Sequence, residues 1–114
     1  MGDADIAINN VLLGDIELMR VFTQGMTDPA SLSSPEFDRF GIAIDTMMRA
    51  FHRSFVFARS SGIDDSLWQT EVRSYSYVIR SAGGQQWWSY NRGMFSDAFS
   101  DFLDGLIRQG EAAE

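Results

Sequence analysis

The chain has 114 residues, enough for one domain with a single core, and its 45% hydrophobic and 22% charged residues are those of a folded globule rather than a disordered segment. It contains no cysteine and one histidine, which excludes disulfides, thiolate metal sites and cysteine nucleophiles. The formal charge of -7 opposes association with phosphate backbones, so nucleic acid is not expected as a partner.

The first part of the chain reads as a short helix from Asp5 to Leu13, a break at Gly14, and a second helix capped by Asp15 that carries Ile16, Met19, Val21 and Phe22 to Gly25. Thr27-Asp28-Pro29 follows as a turn. The main helix is expected over about 35–61, with Ser34 capping, Pro35 in the first turn and Gly62 as the stop. Within it Phe37, Phe40, Ile44, Met47, Met48, Phe51, Phe55 and Ala58 recur at three- and four-residue steps and form the expected core face. Ile42, Ala43, Ala50, Val56 and Phe57 are apolar off that stripe, which places this helix at the centre of a bundle or in a contact between copies. Asp38, Asp45, His52 and Arg59, seven apart, form its narrow polar line toward solvent or a partner.

A second helix over about 65–81 is capped by Asp64 or Asp65 and stopped at Gly83-Gly84. Leu67, Trp68, Val72, Tyr75, Val78, Ile79 and Ala82 supply its packing face. With the main helix it makes an antiparallel hairpin through Gly62-Ile63. A short helix over about 85–90 and a last one over about 97–109, capped by Ser96 and stopped by Gly110, complete the chain. The expected fold is all-α: one compact domain of five or six helices around a long central hairpin, with no strand.

All nine basic residues are arginines, and seven of them lie between Arg39 and Arg92, while both ends of the chain are acidic. The order Leu32-Ser33-Ser34-Pro35-Glu36, Arg39-Phe40, Phe51, Phe55, Gly62-Ile63-Asp64, Trp68, Gly83-Gly84, Trp87-Trp88, Arg92, Phe95-Ser96 and Phe99 resembles a family of small uncharacterised helical bacterial proteins over roughly Asp15 to Leu106. The resemblance implies a helical domain that many relatives place after an N-terminal membrane helix, and it implies no catalytic residues. No membrane-spanning segment is visible in this sequence. The chain is expected to be cytoplasmic, with the membrane surface as the alternative, either as a soluble member or as the soluble part of a longer chain.

The chemistry-bearing residues are few. His52 is the only imidazole, and Asp45 lies too far along the helix axis to orient it. Asp64-Asp65 lacks the convergent oxygens of a hard-cation site and reads as helix capping. Gly83-Gly84-Gln85-Gln86 lacks the Gly-Lys-Ser/Thr ending of a phosphate loop. No cofactor, metal or catalytic residue is therefore expected. Trp87-Trp88-Ser89-Tyr90-Asn91-Arg92 is the most informative stretch, because adjacent helical tryptophans point about 100° apart and Trp, Tyr and Arg are enriched at binding hot spots.

These readings point to a non-enzymatic protein-interaction domain, near a membrane or self-associating, with Trp87, Trp88, Arg92, Asp45, His52 and Arg59 as the candidate contact residues. The alternative is a helical bundle that encloses a small apolar ligand or lipid among its nine Phe and six Met.

Overall fold

The computed structural model describes residues 16–60 and 62–113. Five α-helices run through them and no strand does: α1 over 16–27, α2 (Ser34–Arg59), α3 (Asp65–Arg80), α4 (Ala82–Asn91) and α5 (Asp97–Ala113). Single 3-10 turns, Pro29–Ser31 and Arg92–Met94, link α1 to α2 and α4 to α5. The all-α bundle built on the α2–α3 hairpin is as the periodicity requires. The helix expected over Asp5 to Leu13 and the Asp15 cap lie outside the described residues.

The cap of α2 is Ser33 rather than Ser34. Its hydroxyl accepts from the Glu36 N–H at 3.3 Å, and the Glu36 carboxylate accepts from the Ser33 N–H at 2.9 Å, a reciprocal pair that satisfies two free amides. These bonds, with Arg20 reaching over from α1, hold the Glu36 carboxyl down to about 2. At the far end α2 stops at Arg59, and the Gly62 N–H bonds back to Phe57 O at 3.0 Å. Asp64 caps α3 through the Leu67 N–H, as expected.

Gly83 and Gly84 do not terminate a helix; they form the first turn of α4, whose cap is Ser81, bonded to the Gly84 N–H at 3.0 Å. Their reason is close approach. A side chain at Gly83 would collide with the carbonyl oxygen of Gly25 and the Phe40 ring, so α1 and α4 meet backbone to backbone there. Likewise α5 runs through Gly110 to Ala113, because Gly110 makes room for Arg80, whose Nε donates to Leu106 O at 2.6 Å.

The core is aromatic. Phe51 stacks on Tyr75 at 4.6 Å and meets Trp68, Phe99 and Phe102 within 6 Å, joining α2, α3 and α5. Phe55 stacks on Phe102 at 5.0 Å. Phe40, Ile44, Met48, Phe51 and Phe55 of the predicted α2 stripe are buried. Phe37 is not: near the start of α2 it lines open surface space and is 42% exposed. Leu67, at the first turn of α3, is exposed as well. Among the described residues no helix is long and apolar enough to cross a membrane.

Candidate functional site

Both tryptophans of the Trp87-Trp88 pair, expected as contact residues, are buried, at 9% and 3% exposure. Despite the 100° between their positions on the helix, the two rings stack on each other with centroids 6.3 Å apart. Trp88 turns toward α5, where its Nε1–H donates to Asp104 Oδ1 at 2.8 Å and its ring meets Phe99 edge-on. Trp87 turns toward α2, and both rings pack on Phe95.

Phe95 is the hub that brings the predicted contact residues together. His52 meets it edge-on at 5.7 Å, stacks on Phe99 at 4.6 Å, and places Nε2 3.1 Å from Ser96 Oγ. The same hydroxyl accepts from the Phe99 N–H and so caps α5. Burial and the Arg49 guanidinium push the His52 imidazole below its ordinary pKa. His52 is thus a half-buried residue that packs on two rings and holds the hydroxyl that caps α5. Arg92 pairs with Asp104 Oδ2, on the carboxylate that already serves Trp88. Arg59 is not brought to this cluster; its guanidinium lies over Phe55, near the far end of α2.

Asp45 is half-buried, while Arg59 and Arg92 are more exposed. It accepts from Arg49 Nε at 2.9 Å and lines the edge of a groove between α2 and α4. Trp87 forms part of the floor of that groove, with Phe40 and Gly83 beside it. Phe37 and Tyr90 form its two walls, Tyr90 with 81% of its surface exposed, and Ile42 stands on the outer edge. Its inner lobe encloses about 380 Å³, within the range that takes a side chain or a small ligand.

Gly41 opens this groove. It sits in the interior of α2, where glycine costs about 1 kcal/mol relative to alanine. Unlike Gly25 and Gly83, it has no packing reason: a Cβ there would meet nothing within 4 Å. The space above it is the groove itself. Sequence spacing assigns Phe37 to the core and gives Gly41 no role, while Tyr90 lies in the Trp87–Arg92 stretch but is not among the expected contact residues. A glycine in mid-helix was the one signal that could have found the groove, since the periodicity assigns Phe37 to the core.

The other sequence candidates resolve as structural. Asp64 is a cap, Gly83-Gly84 is a close approach, and among the described residues no three His, Asp or Glu side chains gather into a metal-holding group. Elsewhere on the surface, Thr23, Met26, Arg73, Tyr77 and Arg80 line a wider groove between α1 and α3. Compared with family models, curated proteins and solved structures, the chain matches none.

Proposed function

We propose that this chain is a non-enzymatic protein-interaction domain whose docking site is the groove between α2 and α4. The observation that carries the reading is Gly41, a destabilising residue in mid-helix with open space above it, set between exposed Phe37 and Tyr90 over a tryptophan floor. Such a slot accepts an apolar side chain from a partner, and aromatic walls of this kind dominate interface energetics. Two helices present it on a rigid frame: Trp87 is fixed through Phe95, and Asn91 Nδ2 donates to Trp87 O at 2.8 Å.

A ligand enclosed in the bundle interior is the weaker reading. The Phe and Trp rings that would have to line such a cavity are in contact with one another throughout α2, α3 and α5. The grooves that remain open lie on the surface.

The test is capture of partners from source cells with the tagged chain and with Gly41→Leu, which fills the slot without touching the core. A partner held by the wild-type chain and lost by Gly41→Leu, at equal thermal stability, supports the reading. A partner held equally by both removes the groove as its site.

A further inference from the structure

We propose that the occupant of the α2/α4 groove is a short cationic amphipathic helix from a partner protein, an inference that rests on reading this groove as the docking site. The groove and its outer lobe are lined by apolar Phe37, Ile42, Trp87 and Tyr90 together with two charged residues, Asp38 and Asp45, and no arginine. Among the described residues Asp38 makes no ion pair, while Asp45 holds one arginine, Arg49. The neighbouring arginine in sequence, Arg39, lies beyond Ile42, beside Leu18 and Met47, and does not line the groove. An apolar slot with acidic rims, in a chain of net charge -7, selects an occupant with apolar anchors flanked by positive charge.

The same charges argue against a second copy of this chain on this face. Two copies related by a twofold axis on this face would bring together two patches that each carry the unpaired Asp38, and like charges across an interface are unfavourable. An anionic membrane surface is opposed in the same way. The length fits a helix: Phe37 to Asp45 spans about 12 Å at 1.5 Å per residue, which two turns of a partner helix cover with anchors at i, i+3 or i+4, and i+7.

Two synthetic helical peptides of about eighteen residues test this, one of Leu and Lys and one with Glu replacing every Lys on the same apolar pattern. Each is titrated calorimetrically into the full chain at low and moderate salt. The Lys peptide is expected to bind, to weaken about tenfold with Asp38→Lys, to weaken with salt, and to be lost with Gly41→Leu. Equal binding of the Glu peptide, with both peptides blocked by Gly41→Leu, overturns the charge assignment and leaves the groove as a docking site. Lys-peptide binding that survives Gly41→Leu unchanged places the contact on other acidic surface and overturns the assignment to this groove. Binding of neither peptide at about 1 mM overturns the cationic-helix proposal, while the capture experiment still judges the groove.

Discussion

Trp88 and Asp104 are joined by a 2.8 Å hydrogen bond from the indole Nε1–H, and the other oxygen of the same carboxylate holds Arg92. One side chain of α5 thus ties both the core end and the solvent end of the α4 segment. Asp104→Leu leaves a buried indole N–H without an acceptor and should lower stability by about 1–3 kcal/mol in urea denaturation. Arg92→Gln removes only the exposed half of the arrangement and should cost under about 1 kcal/mol.

Gly41 and Gly83 make opposite predictions from the same substitution. Gly41→Ala should raise stability by about 0.5–1 kcal/mol, because the added methyl meets open space and lowers the entropy of the unfolded chain. Gly83→Ala should lower it by about 1–3 kcal/mol, because the methyl strikes the Gly25 carbonyl and Phe40 and cannot be relieved by a rotamer change. Thermal melts of the two variants beside the wild type check both signs.

His52 predicts a pH dependence. Its folded pKa lies below the ordinary imidazole value of about 6.5, so the unfolded chain binds the extra proton first. Stability from this group is fully present above about 6.5 and falls as pH drops through the folded pKa. His52→Gln should flatten that slope. As the single histidine, its imidazole gives one unambiguous NMR titration, and a folded pKa at or above 6.5 would contradict the packing described for it.

Phe51 is fully buried and touches aromatic rings from α3 and α5. Phe51→Ala should cost about 3–5 kcal/mol by denaturant titration, whereas Phe37→Ala, on the groove wall, should cost far less while weakening partner capture.

The helices and most of the core were legible because spacing alone encodes them: Phe40, Ile44, Met48, Phe51 and Phe55 are buried where the three- and four-residue steps put them. What spacing cannot encode is which neighbours a helix receives. Phe37 fits the stripe but lines an open groove beside α4. Trp87 and Trp88 leave the helix at different angles, yet both are covered because their rings stack on each other and share Phe95. Gly83-Gly84 carries the composition of a helix stop and serves instead as a contact between helices distant in sequence. The cluster of His52, Trp87 and Trp88 around Phe95 joins three of the candidate contact residues, and Trp87 also lines the adjoining groove proposed for docking.

The most direct test of the groove as a docking site is a backbone and indole NMR shift map of the labelled chain during titration with the Leu/Lys peptide. The account predicts saturable shifts confined to Phe37, Gly41, Tyr90, Asn91 and the Trp87 indole, absent in Gly41→Leu. Shifts centred instead on the acidic face of α5 at Asp97 and Asp101, with the Gly41 amide unmoved, would contradict it.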